Sequence, residues 1–138
     1  MVSEQEQVQT VQQLYAAFGR GDIPTVLNTL TDDVEWEVAG PSQIAYAGVR
    51  RGREQVRQFF QVLGQSVDIQ QFEPREFIAQ GNHVVVLGFE RLRVKSTGCI
   101  VDDHWVMVFT LRDGRVVRFR EYIDTAAIAA AFETRTGA

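Results

Sequence analysis

The sequence predicts an α+β fold, a cone-shaped antiparallel or mixed sheet with three N-terminal helices packed on its concave face and a short C-terminal helix. Three observations predict it. Apolar residues recur at helical spacing through the first third of the chain. From about residue 66, four long alternating segments are separated by hairpin-type turns. The alanine-rich string "AAIAAAF" then closes the pattern. No repeat, low-complexity tract or linker interrupts this order, so residues 1–138 read as a single domain.

Each element has a local reason. Ser3 followed by Glu6 forms a capping box. Behind it, Val8, Val11, Leu14, Tyr15 and Phe18 make one apolar stripe. Gly19 and Gly21 in "GRGD" stop that helix. Asp22 caps a shorter second helix, with Pro24 tolerated in its first turn and Val26, Leu27 and Leu30 turned inward. "DDVEWEV" alternates, which makes a short strand from Asp33 to Val38. "AGPSQIAYAGVRRG" reads as a loop. Val56, Phe59, Phe60 and Leu63 mark a third helix from Arg53 to Leu63, ended by Gly64. Four strands follow at roughly 66–80, 83–95, 99–111 and 115–123, joined by "QGN", "KSTG" and "RDG". Pro74 requires an edge position or a bulge. Asp124 and Thr125 cap the last helix. Strands of about 13 residues must coil and bend. Helices cannot completely fill the cone that results, so a cavity is expected beneath them.

Composition narrows the functional classes. A net charge of −4 gives no global electrostatic reason to bind nucleic acid or an anionic membrane. The N-terminal "MVSEQEQVQT" lacks the basic-then-apolar run of a signal peptide, and no apolar stretch approaches the ~20 residues of a membrane span. The single cysteine, Cys99, excludes an internal disulfide and reads as a small buried hydrophobe. These features predict a cytoplasmic protein. His83 and His104 have no partner at ligand spacing, and "GRGD" is a helix–helix turn rather than a phosphate loop, so no metal or other cofactor is expected. Arg50, Arg51, Arg53 and Arg57 read as a solvated face.

Period-two geometry places the polar chemistry. Phe119, Glu121 and Ile123 share one face of the last strand. Asp103, Trp105, Met107 and Phe109 share one face of the strand before it. A carboxylate between Phe119 and Ile123 is either a pocket-wall acid or a salt-bridged structural residue. His104 points outward or sits near the pocket mouth. Tyr46 is a lid residue or a loop anchor.

The strings "LYAAFGRGD" at 14–22, "LTDDVEWEV" at 30–38, "YAGVRRGREQVRQFF" at 46–60 and "VFTLRDGRVVRFREYIDTAAIAAAF" at 108–132 span nearly the whole chain. Together they resemble the SnoaL-like proteins of the nuclear transport factor 2-like superfamily, which includes ketosteroid isomerase, limonene epoxide hydrolase and polyketide cyclases. The resemblance implies a cone-shaped fold, a pocket between helices and sheet, and a homodimer through the outer sheet face, where Val106, Val108, Arg120 and Tyr122 lie. It does not fix the reaction, because this fold hosts many.

Carried over residue by residue, the isomerase tyrosine falls on Leu14 and its base on Val38, so that apparatus is absent; Tyr15 lies about 100° round the helix. The hydrolase aspartates fall on Glu121 and Glu90, its arginine on Gly88, and its tyrosine and asparagine on Trp36 and Val38. Two carboxyls without that arginine repel one another, which still makes an acid/base pair. The cyclase pair becomes Glu121 or Asp103 with His104.

The resulting candidates for acid/base work are Glu121, Asp103, His104 and Glu90. The candidate ligand contacts are Tyr15, Phe18, Trp36, Val38, Tyr46, Phe59 and Phe60, with Leu63, Leu92, Trp105, Met107, Phe119 and Ile123. The implied ligand is a small, mostly apolar organic molecule, and the implied chemistry is cofactor-independent isomerisation, cyclisation, dehydration or hydrolysis. The alternative is a non-catalytic module that binds a lipophilic ligand or assembles as a dimer.

Overall fold

The computed structural model describes residues 2–133. Its elements are α1 (Glu4–Gly19), α2 (Ile23–Asn28), β1 (Leu30–Val38), β2 (Gly48–Arg51), α3 (Arg53–Ser66), β3 (Val67–Gln80), β4 (His83–Val94), β5 (Ile100–Arg112), β6 (Arg115–Tyr122) and α4 (Thr125–Glu133). The six strands form one curved, unclosed sheet in the order β2-β1-β6-β5-β4-β3. Only β1 and β6 run parallel, so the sheet is mixed. Helices α1 and α3 pack across the concave face. The α+β cone expected from the sequence is therefore the fold observed.

Local chemistry accounts for the element ends. The Ser3 hydroxyl accepts from the Glu6 amide while Ser3 N–H donates to Glu6, which completes the capping box. Asp22 caps α2 through the Thr25 N–H and hydroxyl. Asp113 and Gly114 both take positive φ, as a two-residue hairpin turn between right-twisted strands requires. Pro74 lies in the edge strand β3, beside one of its two register shifts.

Three local expectations fail. Gly64 does not end α3, which continues to Ser66, whose hydroxyl donates to Val62 O before the chain turns straight into β3. The residues read as one loop at 39–52 include β2, whose four residues pair antiparallel with β1 from Glu35 to Val38. Cys99 is half-buried against the core rather than fully enclosed.

Alternation sorts the long strands as predicted. On β5, Asp103, Trp105, Met107, Phe109 and Leu111 are all buried, while the residues between them are half-buried or exposed. Opposite Trp105 in register stands Gly88 on β4. A Cβ at Gly88 would overlap the indole of Trp105. The ring thus lies flat over β4 and stacks on Phe72 of β3, with centroids 5.1 Å apart and planes 16° apart. Three strands are locked by one side chain that fits only because its neighbour has none.

Gly88→Ala should therefore lower the urea-unfolding free energy by about 1–3 kcal/mol, the usual cost of overpacking, and change the tryptophan emission as the indole is displaced. A variant as stable as the parent would show that the indole moves aside at no cost.

Candidate active site

The hollow under α1 and α3 is lined almost entirely by rings and aliphatic chains. Its deep side comprises Trp36, Tyr46, Phe59, Leu92, Phe109 and Phe119, all buried. Trp36 and Phe119 stack there with centroids 3.8 Å apart. Its outer side comprises half-buried Phe18, Phe60, Leu63 and Phe72 with exposed Ile69, which puts the mouth between α1, α3 and β3. The cavity has a volume of about 50 Å³, several times the 10–15 Å³ or so that one water needs. All empty space, open mouth included, is about 580 Å³.

Two carboxyls interrupt this apolar wall, Glu90 of β4 and Glu121 of β6. Asp103 of β5 lies behind it, 1% exposed and directly opposite Glu90 in register. Curvature brings the three together although they stand on three different strands. None of the ion pairs among the described residues reaches any of them. Burial, assisted by the charge of Asp103, pushes the Glu121 carboxyl up to about 8. Burial also raises Glu90 well above the usual carboxylate range, with the charge of Glu121 and the side chain of Asp103 adding to it. Glu121 keeps some accessible surface although its carboxyl is strongly desolvated, which is the situation of a side chain on the wall of a hollow.

Two phenols complete the polar set. The Tyr15 hydroxyl donates to Met107 Sδ at 3.1 Å, a weak acceptor. Burial and then Glu121 raise its pKa. Tyr46 is raised by burial and by the charges of Glu90, Glu121 and Asp103, so its ring stands near all three acids. Arg50 fixes the Tyr46 segment: its Nη1 donates to Tyr46 O at 2.6 Å and its guanidinium sits 5.1 Å from the Phe59 ring centroid. Tyr46 also packs against Phe132 of α4. The indole Nε1 of Trp36 is buried without a hydrogen-bond partner.

Most residues singled out from the sequence line the hollow, namely Tyr15, Phe18, Trp36, Tyr46, Phe59 and Phe60, along with Leu63, Leu92, Met107, Phe119, Glu90 and Glu121. Five do not. Trp105 is turned over Gly88 into the sheet's own packing. Asp103 stands behind the wall, held by the backbone at Asp124. Val38 is packed within the core beside Glu121 in register, and Ile123 lies past the end of β6. His104 is exposed on the opposite face, against Phe89, because alternation places it one residue away from the inward set. It is thereby excluded from the acid cluster.

Sequence reasoning missed Leu14, Ile69, Phe72 and Phe109 as lining residues. Phe109 shares the inward face of β5 with Met107. Ile69 and Phe72 lie on β3, where the register shift between Ile69 and Gln71 breaks simple alternation.

A family model described as the SnoaL-like domain matches residues 11–119. An uncharacterised protein of Mycobacterium tuberculosis is 30% identical over 118 residues, covering 85% of this chain and 88% of that protein. An NTF2-like protein from Burkholderia xenovorans LB400 is 41% identical, with a TM-score of 0.88 over 96% of this chain and 100% of that one. TerC, solved after co-crystallisation with polyporic acid, is 27% identical, with a TM-score of 0.84 over 94% and 98% of the two chains. The chain therefore belongs to the SnoaL-like domain family, on an NTF2-like fold.

Proposed function

We propose that this protein binds a compact, mostly apolar organic molecule in the cone and moves a proton on it without a cofactor, with Glu121 as the acid/base group. The observation that carries the reading is an aromatic hollow with a carboxyl on its wall that burial pushes up to about 8, and that no ion pair among the described residues reaches. Such a group passes between acid and base close to neutral pH. As carboxylate it takes a proton from an acidic C–H or O–H of the ligand, the electron pair stays on the ligand, and the same proton is returned at another atom. That sequence balances without a co-reactant, and it fits isomerisation, cyclisation or dehydration. Tyr15 and Tyr46 can donate hydrogen bonds to oxygen on which charge develops. The likeness to TerC supports a ring-bearing ligand and makes polyporic acid the first probe.

One observation favours a second reading, in which the hollow binds without turnover. The position where the hydrolase resemblance puts an arginine is Gly88, and the space a side chain would need there is filled by the Trp105 indole. The free room also admits only a few waters until the half-buried rings at the mouth part.

Titrating the protein's fluorescence with polyporic acid should give saturable quenching of Trp36. The parent's affinity should change between about pH 6 and pH 9, whereas Glu121→Gln should bind with a flat pH profile. Absence of saturable quenching, together with native mass spectra free of any co-purified small molecule, would remove the ligand-binding reading.

A second expectation concerns stability. Glu121 is raised from 4.5 in the unfolded chain to about 8 in the folded one. Between those values the folded state holds a proton the unfolded state has lost, so the Glu121 contribution to stability falls as pH rises and levels off above about 8. Urea unfolding should show a loss of up to about 5 kcal/mol between about pH 5 and pH 9. Glu121→Gln should make that slope shallower, leaving the part that comes from the raised Glu90, and be the more stable protein at the alkaline end. Parallel slopes in the two proteins would mean that Glu121 ionises freely.

The protein is also proposed to pair through the outer sheet face. Val106 and Val108 are half-buried there, Tyr122 is 45% exposed, and Arg120 Nε is buried without a partner. Sedimentation at micromolar concentration should give a dimer; a monomer would contradict the pairing.

A further inference from the structure

Glu90, Asp103 and Glu121 differ in what surrounds them. Asp103 Oδ1 accepts the backbone N–H of Asp124 at 2.7 Å. That amide leads directly into α4, a nine-residue helix whose first turn is further capped by Asp124 Oδ1 accepting from the Ala127 N–H. A backbone donor and the start of a helix both favour a negative charge on Asp103. Glu90, its partner in register, is 6% exposed, and no N–H and no cation among the described residues donates to it. Its carboxyl lies within hydrogen-bonding reach of Asp103. Asp103 Oδ2 is buried without a hydrogen-bond partner. Two carboxylates cannot hydrogen-bond, since each is only an acceptor, but a single proton between them satisfies both.

We infer that Asp103 is a positioning residue: as the anion it accepts a hydrogen bond from the protonated Glu90 carboxyl, which keeps Glu90 in the acid form and leaves Glu121 as the one carboxyl free to exchange protons with a bound molecule. The division follows from which acid the backbone serves. The backbone at the start of α4 donates to Asp103, whereas no donor among the described residues reaches Glu90. The titratable groups facing this pair are Glu121 from β6 and Tyr46 from the segment before β2, with Asp124 at the head of α4. None is a cation that could replace the proton. Glu121 feels the charge of Asp103, whereas Glu90 in its neutral form adds none.

The assignment deepens the proton-transfer reading and depends on it only for the role of Glu121; the Glu90–Asp103 pair belongs to the empty protein and is tested there. Carboxyl carbon NMR of labelled Asp and Glu across about pH 4 to pH 9 reads each group separately in the parent, in Asp103→Asn and in Glu90→Gln. In the parent at neutral pH, Glu90 should show the shift of a protonated carboxyl and its partner Asp103 that of a carboxylate. Asparagine at 103 can still accept from Asp124 and can now donate to Glu90. The Glu90 midpoint should then fall by about one pH unit or more, roughly a tenfold loss of proton affinity. Glutamine at 90 offers an N–H in place of the lost O–H, so Asp103 should stay ionised and the urea midpoint should stay near that of the parent. A protonated Asp103 beside an ionised Glu90 in the parent, or a Glu90 midpoint unmoved in Asp103→Asn, would overturn the assignment. Should Asp103→Asn fail to fold, the parent titration and Glu90→Gln decide the matter. Polyporic acid binding is measured apart from this: the expected carboxyl pattern without any binding would defeat the proton-transfer reading and leave the pairing in place, and binding with the wrong pattern would do the reverse.

Discussion

Glu90 and Asp103 face each other across two hydrogen-bonded strands, both buried, and no ion pair among the described residues reaches either. Removing a carboxylate from water is costly enough that the group keeps a proton, finds donors or is not tolerated. Here one acid finds a backbone donor and the other keeps a proton, and the rest of the site adjusts to that outcome. Glu121, on the next strand, is desolvated in the same hollow and feels the remaining charge. Its shift is thus a property of three strands held in one register and not of Glu121 alone.

The register is itself secured by packing. Gly88 and Glu90 are two residues apart on β4, so they share a face, and their partners Trp105 and Asp103 do likewise on β5. The indole over Gly88 and the acid pair beside it are consecutive steps of one ladder. A slip of one residue would put both tryptophan and carboxyls on the outer face. The large, rigid ring fixes where the small, polar pair must sit. Closure comes from the far end of the chain, where Asp103 bonds the backbone at Asp124 and Tyr46 meets Phe132. Docking α4 therefore completes the acid cluster as well as the core.

Fold and site were legible to different depths for a physical reason. Element order, the concave face and the inward position of Glu121 follow from periodicity and turn chemistry, which are local and survive in a bare sequence. The same period correctly separates Asp103 from His104. Which inward residues touch the hollow depends on what fills it. Trp105 shares a face with Met107, yet Met107 lines the hollow and Trp105 does not, because only Trp105 has a glycine opposite it to lie upon. Ile69 and Phe72 were missed because a register shift on β3 resets the alternation around them. Gly64 misled because glycine ends a helix only where the chain needs the left-handed conformation, and here the chain passes straight into a strand.

The resemblance to better-known relatives located the carboxyls but not their division of labour, since that depends on groups outside the matched strings' chemistry. An arginine at position 88 would have neutralised one acid and left both ionised. With glycine there and an indole in the space, no side chain at position 88 offsets the charge of the acids, and a bound proton lessens it instead. A site balanced by a proton responds to pH and to any ligand that brings its own donor, whereas one balanced by a guanidinium does not. Whether position 88 holds a glycine or a bulky side chain thus bears on what chemistry the neighbouring acids can do, with the acids in the same places on the sheet.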